Sequence, residues 1–254
     1  MLEFLDFIRV KICLFCVFIA ISGFLLFNKI SINLIFVILS VFFLCASVCA
    51  YNNITDKEED SINKKRVNPL TFTKKGFFIV IFCFIVGLIS TLVLSLTSTI
   101  VYLSSSFIGF TYSIFKLKQY PVLKNLYSGF SWSLSFLFGT SLNFNYISFV
   151  YYIIITLFIF VSSILSDLRD FKGDRIYKIL TIPVSIGYNK SKKMIYLLYT
   201  MFSFFILLGK FNEFLVFIPF CLSIIILVNK NKIKLAHNFS GFAFIAFALQ
   251  LLII

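Results

Sequence analysis

The chain has 254 residues, of which 60% are hydrophobic and only 13% charged, and its mean hydropathy is +1.02. Soluble domains carry about 45–50% apolar and about 25% charged residues. The composition therefore argues against a soluble enzyme, a disordered regulator, a disulfide-stapled secreted scaffold or a nucleic-acid binder.

A helix needs about 20 apolar residues to cross a bilayer. In chain order, such runs lie near 10–28, 30–51, 76–95, 96–115, 126–143, 147–166, 194–209, 213–229 and 237–254. They are long and unbroken, whereas the strands of a membrane barrel are short alternating segments. The expected fold class is all-α: a polytopic membrane bundle of nine transmembrane helices, with residues 1–254 forming one integral membrane domain. The chain carries 23 basic and 10 acidic residues, a net charge of +13. All the basic residues except Lys29 and Lys210 lie in the N-terminal segment or in alternate loops. This segregation obeys the positive-inside rule. It predicts a cytoplasmic N-terminus, cytoplasmic charged loops and, with an odd number of spans, a C-terminus outside. Glu3 and Asp6 ahead of the first run speak against a cleaved signal peptide. All six cysteines, including Cys13-x-x-Cys16, fall inside expected spans and read as packing residues. His237 reads as interfacial, and Pro219 as a kink in the eighth span.

Seven of the ten acidic residues fall in two of the cytoplasmic loops: Asp56, Glu58, Glu59 and Asp60, then Asp167, Asp170 and Asp174. If the second helix continues past its span, Asn52, Asp56 and Asp60 recur at i, i+4, i+8 and share a face. Asp170 and Asp174 are likewise i, i+4, with Asp167 three residues earlier. Each cluster ends an even-numbered span, and the two pairs stand at the same sequence offset. The pattern suggests two similar four-helix halves with their acidic ends facing each other, plus a ninth helix. Carboxylates on one face repel unless cations fill the gap. An oxygen-only donor set suits a hard divalent ion, and Mg2+ prefers one or two carboxylates completed by substrate phosphates. Solvated loops in which Asp and Glu balance nearby Lys are the simpler alternative, which the matched spacing disfavours. Arg9, Arg66, Lys116 and Lys118 lie near the acidic helix ends and would supply donors to an anionic headgroup. Tyr112 and Lys116 again stand at i, i+4.

These residues carry a resemblance. The chain resembles the UbiA superfamily of intramembrane prenyltransferases over nearly its whole length. Asn52, Asp56 and Asp60 fit the family's first motif, N-D-x-x-D-x-x-x-D, with Asn53 where the family usually has Asp. Asp170 and Asp174 fit the second, D-x-x-x-D, with Asp167 as its frequent third member. Gly173-Asp174-Arg175, Thr181-Ile182-Pro183-Val184 and Gly187 follow the family's G-D-R…T-[LI]-P-V-x-x-G run, with Leu180 in place of a common Lys. Tyr112 and Lys116 fit its Y-x-x-x-K.

The resemblance implies a UbiA-type bundle around a central cavity and a Mg2+-dependent transfer of a polyprenyl group. It implies metal ligation by Asn52, Asp56, Asp60, Asp167, Asp170 and Asp174, and diphosphate contacts from Arg9, Arg66, Lys116, Lys118 and Asn52. Asp56, Asp170, Lys116 and Tyr112 form the implied catalytic group, with the Tyr112 ring facing the allylic cation. The implied partners are a polyprenyl diphosphate, a lipophilic acceptor and the bilayer, with no nucleic acid and no protein partner. The chain looks most like the archaeal ether-lipid branch, which moves geranylgeranyl onto geranylgeranylglyceryl phosphate. That branch's N-x-P-x-R-P-I-P segment reads Asn63-Lys64-Lys65-Arg66-Val67-Asn68-Pro69-Leu70 here, and an aromatic, quinone-type acceptor is the alternative. A small-solute transporter is the rival from another class. It would be expected to place ionisable groups deep in its spans, and here they hold almost none.

Overall fold

The computed structural model describes the backbone of residues 2–62 and 67–253. Among the described residues the chain forms α-helices joined by short 3₁₀ turns, with no strand. The helices are α1 (Leu2–Phe7), α2 (Val10–Phe27), α3 (Asn33–Ile62), α4 (Lys74–Leu92), α5 (Leu96–Ile114), α6 (Pro121–Gly139), α7 (Tyr146–Ile176), α8 (Ile182–Ile186), α9 (Tyr188–Leu208), α10 (Phe217–Asn229) and α11 (Ile233–Ile253). Among the described residues, seven stretches are long and apolar enough to cross a membrane: Val10–Phe27, Asn33–Lys57, Lys74–Leu92, Tyr146–Ile176, Tyr188–Leu208, Asn212–Asn229 and Ile233–Ile253. The protein is a polytopic helical membrane protein. The other two expected spans coincide with α5 and α6, helices diluted by Ser, Thr and Tyr. Several of these hydroxyls bond back to their own helix, Ser105 Oγ to the Val101 carbonyl at 2.7 Å and Ser106 Oγ to that of Leu103 at 2.8 Å. Such bonds satisfy a polar group where no water is available. Pro219 does not kink a helix. It lies in the first turn of α10, where backbone N–H groups have no intrahelical partner to lose.

The chain divides into two compact units, one of residues 1–116 and 133–152, the other of residues 117–132 and 153–254. In the first unit, small residues let helices approach to backbone contact, as membrane interfaces require. A Cβ on Gly23 of α2 would strike the Phe136 carbonyl of α6, and one on Gly139 of α6 would strike the Ala20 carbonyl of α2. Ser47 of α3 donates to the Val80 carbonyl of α4 at 2.9 Å. Phe24, Val37, Val41, Tyr102 and Phe138 form one buried core, and Phe7, Ile8, Cys13, Ala46, Ala50 and Val80 another. The cysteines are free thiols, with Cys45 Sγ 3.7 Å from Cys16 Sγ, as packing residues would be.

The second unit is centred on an aromatic cluster. The Phe158 ring meets those of Tyr199, Phe202, Phe217 and Phe244 at centroid distances of 4.7–5.8 Å, tilted or edge-on geometries that aromatic pairs favour. Ser162 and Tyr199 join α7 to α9 through a 3.0 Å hydroxyl contact.

Candidate active site

Both acidic clusters sit on helix ends that outrun their apolar spans. α3 continues through Ile62 and α7 through Ile176. The condition for Asn52, Asp56 and Asp60 to share a helical face is therefore met, as it is for Asp170 and Asp174. Asn52 and Asp56 are half-buried. The side chains of Asp60 and Lys118, and all of Arg66, lie outside the described residues.

The first helix end is tied to the start of the chain by Arg9. This residue separates α1 from α2 in a left-handed conformation, φ 51 and ψ 55, which costs a non-glycine residue about 1–3 kcal/mol. Its side chain recovers contacts on α3: Nε and Nη2 both donate to Asn53 Oδ1, at 3.1 and 2.6 Å. The Asn53 amide nitrogen donates in turn to the Phe7 carbonyl at 2.7 Å. An aspartate could accept from Arg9 but could not donate to Phe7. Asn53, a departure from the motif in sequence, is thus a joint between α1, Arg9 and α3. Asn53→Leu is expected to lower stability in detergent by about 1–3 kcal/mol, the cost of leaving buried partners unmet. Asn53→Asp, which keeps the acceptor, is expected to cost less. Thermal midpoints of the two variants check this, and a Leu variant as stable as the parent would refute it.

Lys57 lies over the Phe72 ring, 5.5 Å from its centroid. Tyr112 is half-buried on α5. Lys116 falls beyond the end of that helix, exposed and at φ 48, so its i, i+4 relation to Tyr112 is not carried by a helical face.

In the second unit, Asp167, Asp170 and Asp174 differ sharply in environment. Asp167 is 5% exposed and receives Lys124 Nζ on Oδ1 at 2.6 Å and Asn125 Nδ2 on Oδ2 at 3.0 Å. Ser163 Oγ donates to Asn125 Oδ1 at 2.9 Å. Asp170 is exposed and takes a two-pronged ion pair from its neighbour Arg169, at 2.8 and 2.6 Å. Arg169 also meets Ser166 Oγ at 3.2 Å and His237 Nδ1 at 3.3 Å, giving the single histidine a partner the sequence did not suggest. Asp174 is half-buried. Past this helix end, Gly187 adopts φ 92 between α8 and α9, a left-handed conformation that explains the glycine closing the T-I-P-V-x-x-G run.

The residues present fit a hard divalent cation. The Asn52 Oδ1 is buried without a hydrogen-bond partner, an oxygen donor left open where the first acidic face begins. Among the described residues no three His, Cys, Asp or Glu side chains converge on one point.

A helical membrane protein with oxygen donors on two helix extensions falls in a defined class. The chain belongs to the UbiA prenyltransferase family, whose sequence model matches residues 12–248. A relative, the digeranylgeranylglyceryl phosphate synthase of Pyrococcus horikoshii, is 29% identical over 165 residues. That alignment covers 63% of this chain and 58% of the relative, under two thirds of its length. Among solved structures, one concerned with digeranylgeranylglyceryl phosphate synthase in membranes superposes with a TM-score of 0.71 at 24% identity, covering 98% of both chains. A UbiA homologue from Archaeoglobus fulgidus bound to DMAPP and Mg2+ gives 0.76 at 16% identity over 99% of both. At these identities the likeness is one of fold.

Proposed function

We propose that this protein is a prenyltransferase that moves a geranylgeranyl group from its diphosphate to geranylgeranylglyceryl phosphate. The observation that carries the acceptor is the similarity to the Pyrococcus horikoshii synthase. The segregation of basic residues supports nine spans with the N-terminus and the acidic helix ends on the cytoplasmic side.

In this reading Asn52, Asp56 and Asp60 on α3 and Asp170 and Asp174 on α7 hold Mg2+, and Arg9, Arg66, Lys116 and Lys118 bind the diphosphate. When bound, Mg2+ withdraws charge from the diphosphate and eases its departure. The prenyl C–O bond breaks with its electron pair leaving on the diphosphate. Tyr112 offers its ring face to the allylic carbon as positive charge develops there. The acceptor hydroxyl oxygen forms the new ether C–O bond, and its proton passes to the departing diphosphate. The apolar walls of the helices keep water from intercepting the cation.

Incubating the purified protein and Mg2+ with radiolabelled geranylgeranyl diphosphate, offered either geranylgeranylglyceryl phosphate or a hydroxylated aromatic, tests the acceptor. Labelled ether lipid in the first reaction is the expected result. Product with the aromatic alone would overturn the assignment.

A further inference from the structure

Asp167 is the member of the second acidic cluster that the fold withdraws from solvent and fills from within. Its two oxygens are taken by the Lys124 ammonium at 2.6 Å and the Asn125 amide at 3.0 Å, and Ser163 fixes the Asn125 carbonyl at 2.9 Å. A metal ion approaching Asp167 would have to expel an ammonium from a 2.6 Å contact or share the carboxylate with it, and two cations on one buried carboxylate repel. Asp170, by contrast, is exposed and paired at the surface with Arg169 among the described residues, a contact that a divalent ion displaces at little cost. Along α7, Asp170 and Asp174 follow Asp167 by three and seven residues, so all three lie within one helical stripe. The ammonium clamped on Asp167 thus stands at the base of that stripe. An ammonium has three N–H donors. The ion pair uses one, and the lysine side chain keeps 23% of its exposure.

We infer that Lys124 is a diphosphate-binding residue and Asp167 the residue that positions it, leaving Asp170 and Asp174 as the metal-holding carboxylates of this helix end. The inference rests on the reading that this cluster receives the prenyl diphosphate. Lys124 then acts as a point charge of fixed location, held by a buried network rather than by a flexible stem.

The test uses the full-length protein in detergent. Lys124→Met is expected to raise KM for geranylgeranyl diphosphate about tenfold, the size of one charge-assisted hydrogen bond, with KM for the acceptor unchanged. Lys124→Arg should recover most of the loss. Asp167→Asn should reproduce the diphosphate defect while Mn2+ binding, read by electron paramagnetic resonance, stays at the parent level. Asp170→Asn should weaken Mn2+ binding. If Lys124→Met alone does not fold because Asp167 is left buried and unpaired, the double variant Lys124→Met with Asp167→Leu removes both charges and should show the same KM effect. Calorimetric binding of inorganic pyrophosphate with Mg2+ gives a readout independent of turnover. It should weaken in the Lys124 variant even if the unaltered protein transfers no prenyl group to the acceptors offered, an outcome that would refute only the reaction assignment. Two results would overturn the inference: Mn2+ affinity falling in Asp167→Asn as it does in Asp170→Asn, or unchanged diphosphate KM and pyrophosphate binding in the Lys124 variants.

Discussion

Purified protein carrying Asp56→Ala or Asp170→Ala is expected to lose Mg2+-dependent prenyl transfer by about a hundredfold or more, the usual cost of removing a group that stabilises charge in the transition state. Asp170 is the cleaner of the two tests. Its carboxylate is exposed and its only described ion pair is to the adjacent Arg169. Exposed pairs of this kind contribute about 0–1 kcal/mol, so the fold should survive its loss. The same substitution removes a negative charge from a helix end already rich in Lys and Arg, so a purely electrostatic surface effect would favour an anionic substrate. A fall in rate therefore points to the metal rather than to general charge. The measurement is initial rate against Mg2+ concentration in variant and parent, alongside thermal midpoints. Near-parental turnover in both variants would remove the two acidic faces from the mechanism.

The second large effect is structural. Gly139→Leu should destabilise the protein by about 3 kcal/mol or more, at or beyond the upper end of ordinary overpacking. Its Cβ would meet the Ala20 carbonyl and, at 2.8 Å, the Phe24 nitrogen. Both are backbone atoms of α2, unable to rotate away as a side chain could. Gly23 repeats the constraint from the opposite helix against the Phe136 carbonyl. The contrast is Gly241 on α11, where a Cβ meets nothing within 4 Å. Gly241→Ala should be neutral or slightly stabilising, since alanine favours helix by about 1 kcal/mol. Detergent-phase melting of the two variants gives the comparison, and equal midpoints would refute the crossing as a determinant of stability.

Which parts of this protein could be read from its sequence follows from the range of the forces involved. Hydropathy located the helices because apolar length is a local property, and the i, i+4 spacing of Asp56 with Asp60 and Asp170 with Asp174 located the acidic faces for the same reason. The extension of α3 and α7 past the apolar runs was needed for those faces, and both helices do extend. Pro219 misled because the apolar run near 213–229 gave no sign that the α-helix proper starts at Phe217. Tyr112 and Lys116 do not share a helical face because α5 ends at Ile114, an end that no glycine or proline announces. The pairings that matter most at the site were out of reach altogether. Arg9 with Asn53 and Lys124 with Asp167 are each joined across more than 40 residues of sequence. Neither lysine nor asparagine carries any local mark of its partner.

The lengths of α3 and α7 bear on how the proposed reaction would meet its substrates. At 30 and 31 residues each helix runs about 45 Å, against about 30 Å for the hydrocarbon of a bilayer. Their charged ends belong to the headgroup layer. Under the function proposed above, a prenyl diphosphate bound there would keep its tail among acyl chains and its charge among headgroups, and would never have to cross between phases. Encounter is therefore a two-dimensional problem. The concentration that governs turnover is the number of substrate molecules per unit area of leaflet, so the lipid around the enzyme acts as the reaction volume.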